Sequence, residues 1–175
     1  MTGPVAHGDL LLSINYGMFT FRDRWCDAGD DDGARQASRR TVVGASTYQV
    51  VAQAMSDRAR LTVRVWAVRP ASAEPGWDGT HEMELHCPTG EMVADEIAGG
   101  SPEVVRLPEP GVYGLRAHWR DRESTHEEII RAIGDGEAVE RLHGKEQFLF
   151  DMWRIGPLPP DDDDEEFQEE LAHWS

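Results

Sequence analysis

Apolar and polar residues alternate with a period of two along several short stretches of the chain, which predicts strands rather than helices. Residues 81–87 show it most clearly. Met83, Leu85 and Cys87 share one face, and Glu82, Glu84 and His86 share the other. In residues 59–68, Leu61, Val63, Val65 and Ala67 oppose Thr62, Arg64 and Trp66. After Pro108-Glu109-Pro110-Gly111, Tyr113, Leu115, Ala117 and Trp119 fall on one side, with Arg116 and His118 on the other. In the last such stretch, 146–155, Phe148, Phe150 and Met152 face inward. One buried and one partly wet face per strand is the pattern of an antiparallel sheet.

Between these stretches the chain gives further signals. Residues 9–21 are rich in strand formers and bend at Tyr16-Gly17. Residues 41–54 and 59–68 are joined by Met55-Ser56-Asp57-Arg58, which predicts a hairpin. After the turn Pro88-Thr89-Gly90 a strand returns over 91–97, and 103–107 form another short one. Residues 23–40 have no apolar periodicity and read as a long exposed loop. Residues 70–79 read as a loop from their proline, glycine and small residues, and 128–133 as one short helix. Proline at 157, 159 and 160 stops the final strand.

The fold expected from this pattern is mainly β: an antiparallel β-sandwich, jelly-roll-like, with an open barrel as the alternative. Residues 1–157 form that domain. Residues 158–175 form an acidic tail with a short helix, because Phe167, Leu171 and Trp174 recur at helical spacing behind a run of carboxylates.

Charge changes the picture more than composition does. A formal net charge of −16 over 175 residues disfavours nucleic acid and anionic membranes as partners, and it favours a basic protein or a cation. Solubility alone is served by the same charge. No apolar stretch approaches the roughly 20 residues needed to span a bilayer. Residues 1–20 have no signal-peptide pattern, and Cys26 and Cys87 are too few for a secreted disulfide framework. These features predict a cytoplasmic protein with reduced thiols.

Catalytic motifs are missing: there is no phosphate-binding glycine loop and no nucleophile elbow. His81, Glu82 and His86 approach a zinc motif, but the second histidine comes one residue late. On a helix the two rings would diverge by about 140°, and on a strand they lie on opposite faces. Asp27, Asp30, Asp31 and Asp32 offer hard oxygen ligands without the alternation or closing glutamate of a calcium loop, and read as a solvated loop. His118 and Asp121 suggest a base and its orienter with no nucleophile, and His118 reads as an exposed histidine on a polar face. Trp66 stands out as an aromatic residue on the polar face of its strand, whereas Trp119 and Trp153 read as core or half-buried. No cofactor, metal site or enzymatic role is expected.

Three stretches carry a family resemblance. Pro110-Gly111-Val112-Tyr113-Gly114-Leu115-Arg116-Ala117, with Arg120-Asp121, resembles the penultimate strand of competence-J-like nuclease-inhibitor proteins. Glu146-Gln147-Phe148-Leu149-Phe150-Asp151-Met152-Trp153 resembles their final strand, and Leu11, Ser13, Ile14, Asn15, Tyr16, Gly17, Met18 and Phe19 are similar in character to the opening segment. Arg154 stands where the family pattern has proline, and the acidic tail is an addition. The resemblance implies a small all-β immunity-type protein that silences a nuclease. The expected partner is accordingly a basic protein, such as a nuclease or toxin. The expected partner-binding residues are Asp30, Asp31 and Asp32, and in the tail Asp161, Asp162, Asp163, Asp164, Glu165, Glu166, Phe167, Leu171 and Trp174. The alternative is a non-catalytic accessory subunit that docks into a larger complex through that tail.

Overall fold

The computed structural model describes residues 3–26, 32–71, 74–96 and 100–160. It contains ten strands and three helices among them. The strands are β1 (Ala6–Ser13), β2 (Met18–Asp23), β3 (Val43–Ala45), β4 (Gln49–Gln53), β5 (Arg58–Trp66), β6 (Gly79–Cys87), β7 (Glu91–Asp95), β8 (Glu103–Arg106), β9 (Gly111–Arg120) and β10 (Gln147–Gly156). The helices are α1 (Asp32–Thr41), α2 (Arg122–Arg131) and α3 (Gly136–Glu140). The expected mainly β class holds, as two five-stranded sheets: β1-β5-β10-β9-β6 and β3-β4-β2-β7-β8. Neighbouring strands run antiparallel except β5 and β10, which are parallel.

The alternating strands read from the sequence are present, and their inward phase builds one core shared by both sheets. Phe19 and Phe21 of β2 meet Phe148 and Phe150 of β10 across it, edge to face, at centroid separations of 5.1 and 5.3 Å. Each such ring removed from water contributes on the order of 1.5–3 kcal/mol. Along one margin β1 comes so close to β8 that a Cβ at Gly8 would lie 1.8 Å from the Val104 carbonyl oxygen. Only glycine permits that approach.

Three expectations are corrected. The first concerns the hairpin over residues 41–68, which does not form. β4 pairs with β2 and β3, β5 pairs with β1 and β10, and residues 54–57 carry the chain from one sheet to the other. The strand returning after residues 88–90 crosses in the same way: β7 pairs with β2 and β8, not with β6. Local periodicity gives a strand's buried face, but not the sheet that covers it.

Each of these crossings is fastened by a buried carboxylate. Glu146, with no exposed surface, accepts hydrogen bonds from Met55 N (2.9 Å), Ser56 N (2.8 Å) and Ser56 Oγ (2.5 Å). Asp23, also fully buried, accepts from Thr89 N (2.9 Å), Thr89 Oγ1 (2.7 Å) and Gly90 N (2.8 Å).

Residues 23–40 are the third correction, since α1 occupies 32–41 where a loop was expected. Its contact face is made of small residues, which leave no apolar periodicity to read. Ala34 and Ser38 are buried against β3, and a Cβ at Gly44 would lie 2.5–2.7 Å from Ser38 N, the Ala37 Cβ and the Ala34 carbonyl. Asp32 in the first turn and Arg39 and Arg40 in the last complement the helix dipole. The helix expected at 128–133 begins earlier, at Arg122, and ends at Arg131. None of the described helices is long and apolar enough to cross a membrane.

Candidate functional site

The outward phase of the first sheet is where polar side chains gather. Strand register aligns His7 with Arg64, Arg64 with Asp151, Asp151 with Arg116, and Arg116 with Glu82. A row of ionisable side chains thus crosses all five strands, with the alternation of sign running from Arg64 to Glu82. Opposite signs in directly opposed positions on adjacent strands stabilise a sheet.

Asp151 is the centre of this row and is 2% exposed. Its Oδ1 accepts from Arg64 Nε (2.7 Å) and Trp66 Nε1 (2.8 Å), and its Oδ2 from Arg64 Nη2 (3.0 Å) and His118 Nε2 (3.3 Å). Burial pushes this carboxyl toward the neutral form, but hydrogen bonds from His118, Arg64 and Trp66 outweigh it and hold the group well below the usual carboxylate range. All four lone-pair positions are taken. A carboxylate so saturated is a poor proton acceptor and a poor metal ligand.

His118, expected to be exposed, is 1% exposed. Its partner is Asp151, whereas Asp121 accepts no bond from it; the Asp121 amide instead donates to Asp78 Oδ2 at 2.8 Å. The polar side of β9 is covered rather than wet. In fact residues from the β5–β6 connection fold over it. Trp77 lies 5.7 Å from the His118 ring, and Arg120 stacks on Trp77 at 4.5 Å. Glu74 pairs with Arg64 Nη1 (2.6 Å), the Pro70 carbonyl accepts from Arg116 (3.2 Å), and Arg69 pairs with Glu82 (2.8 Å). His118 Nδ1 has no partner among the described residues.

The tryptophans on this face are covered by the protein's own arginines. Arg64 lies 5.2 Å from the Trp66 ring, and Arg69 and Arg116 lie 5.5 and 5.7 Å from Trp153. Gly114 leaves room for Trp153, since a Cβ there would lie 2.4 Å from the indole. Trp119 faces the core and is partly buried against it. Trp66, the aromatic residue on the polar face of its strand, therefore does not present an open ring.

Among the expected partner-binding residues, Asp32 sits exposed in the first turn of α1. Asp30, Asp31, Asp161, Asp162, Asp163, Asp164, Glu165, Glu166, Phe167, Leu171 and Trp174 lie outside the described residues. His81 and His86 stand on opposite phases of β6.

A second surface lies at α2 and α3. Ile130 and Ile133 are 53% and 75% exposed, and Ile133 lines a shallow groove with Ala138 and Leu142. Carboxylates outnumber cations around it. Glu127, Glu128 and Glu137 pair with Arg131, Lys145 and Arg141, while Glu123 and Glu140 are exposed without an ion pair among the described residues. The sequence pattern predicts only a short helix over 128–133, and does not show that Ile130 and Ile133 are exposed.

Solved structures share this fold. The inhibitor of the DNA-degrading activity of NucA, ComJ from Bacillus subtilis, superposes with a TM-score of 0.58. The match covers 84% of this chain and 95% of that one at 15% identity. The chain is similar in fold to ComJ. The likeness in fold extends over nearly the whole ComJ chain. A second structure, described as crocagin biosynthetic gene J, matches with a TM-score of 0.54 and 17% identity, covering 88% of this chain and 99% of its own. No protein-family model and no curated protein matches.

Proposed function

We propose that this chain is a non-catalytic, cytoplasmic inhibitor that occupies a basic protein partner of the nuclease class. The ComJ-like fold carries the reading, with the two sheets taken as a sandwich. The saturated state of Asp151 supports it, because this buried polar cluster has its acceptors committed to structure. A nuclease groove is basic because it holds phosphates, and a surface of this charge can enter it and speed association. The acidic run of Asp161, Asp162, Asp163, Asp164, Glu165 and Glu166 belongs to the proposal as a phosphate-mimicking arm.

The test is to capture partners from the source cell's lysate at low salt and assay the retained protein. A basic nuclease whose DNA cleavage falls in proportion to added chain, to completion near equivalence, is the expected result. Unchanged cleavage at saturating chain would sink the reading.

A further inference from the structure

The face that meets the partner follows from a different comparison of surfaces. Exposed apolar side chains are ordinary when scattered and informative when grouped. Two groups stand out among the described residues. Val5, Val68 and Ile155, 53–70% exposed, lie at neighbouring ends of β1, β5 and β10. Ile130 and Ile133 lie at the end of α2.

The charged groups near the first are of both signs: Arg69 with Glu82, and Arg154 with Glu109. Those near the second are predominantly acidic, and the cations there, Arg122, Arg131, Arg141 and Lys145, are already paired with glutamates. Glu123 and Glu140 keep their charge uncompensated among the described residues.

We infer that the α2–α3 lobe is a docking surface for a basic protein, with Ile130 and Ile133 as apolar anchors and Glu123 and Glu140 steering the approach. The inference rests on the inhibitor reading and names its contact surface. An apolar centre with a charged rim is the usual division of labour at an interface: buried anchors slow dissociation, and rim charges set the association rate. The lobe is also held rigidly enough to serve. Arg122 Nε donates to the Gln53 carbonyl (2.9 Å), His126 Nδ1 lies 3.1 Å from the Met55 carbonyl, and the Asp135 side chain caps α3 at Ala138 N (3.2 Å). A preformed surface loses little entropy on binding.

The experiment uses the full-length chain and the basic nuclease retained in the capture above, with binding followed by surface kinetics and inhibition by DNA cleavage. Ile130→Ala combined with Ile133→Ala should weaken binding about tenfold or more, mostly through faster dissociation. Glu123→Gln with Glu140→Gln should slow association and flatten its salt dependence. Ile155→Ala, at the other patch, should bind as the parent does. Because all these side chains are exposed, matching melting curves separate lost contacts from lost folding. Slowed amide exchange in α2 and α3 within the parent complex gives a readout independent of any variant.

Unchanged affinity of the double isoleucine variant, with inhibition intact, would overturn the lobe and leave the inhibitor reading standing. Weakening by Ile155→Ala instead would also overturn it and move the interface to the other patch. A wild-type chain that retains no basic nuclease would overturn both.

Discussion

Asp151, within β10, and Glu146, just before it, are both carboxylates withdrawn from water, at 2% and 0% exposure. Their surroundings push them in opposite directions. Asp151 meets a guanidinium and two ring N–H donors, and these overcome burial and depress its pKa. Glu146 meets mainly backbone amides and one hydroxyl. Burial dominates there, and its pKa rises above the ordinary value despite Ser56, Met55 and the nearby Arg122. Arg122 stands 3.7 Å away, farther than either Arg64 contact with Asp151. The net effect of burying a carboxylate thus depends on whether a close full charge answers it.

The sharpest way to break the comparison is Asp151→Ala. It leaves Arg64, Trp66 and His118 without their acceptor, and should lower unfolding free energy by about 3–5 kcal/mol in denaturant titration. Glu146→Gln keeps the shape and one acceptor but faces three donors with fewer lone pairs. Its cost should be smaller, about 1–3 kcal/mol by the same measurement.

The pH dependence sharpens the contrast. Asp151 has a depressed folded pKa, so its contribution is fully present above its ordinary value of 3.8 and fades as pH falls through the lowered one. Glu146 has a raised folded pKa, so its protonation favours the fold below the ordinary 4.5, and that advantage fades as pH rises through the raised value. Relative to the parent, Asp151→Asn should therefore cost less as pH falls, and Glu146→Gln less as pH rises. Parallel profiles for the two variants would refute the assignment. The mildest change is Trp66→Phe, which removes one of four donors to Asp151 and should cost about 0.5–1.5 kcal/mol, read from the shift in denaturation midpoint.

Much of this molecule was legible from residue pattern, because a strand with one buried face writes its period into the sequence. β6 and the inward phase of β9 and β10 followed from it. What escaped was decided by distant partners. Ala34 and Ser38 pack on Gly44 without any large apolar residue, so α1 resembled a loop. Val50, Val51 and Ala52 are all buried, which blurs alternation in β4 and hides its sheet. The Asp151 cluster left one signal: an acid between Leu149 and Trp153 on a phase that should have been wet. Its meaning depended on Arg64 and His118, which lie far away along the chain. The exposure of Ile130 and Ile133 could not be read at all, since a short charged helix does not declare which side it turns to the body.

The parallel pairing of β10 with β5 has a further consequence for how the protein is made. β10, the last in chain order of the described strands, is inserted between β5 and β9, so it lies at the middle of its sheet and not at an edge. Until residues 147–156 leave the ribosome, both flanking strands present an unpaired side, and the Phe19 and Phe21 rings lack their facing partners. Folding therefore waits on contacts distant in sequence, a slow regime in which open strand edges invite association between chains.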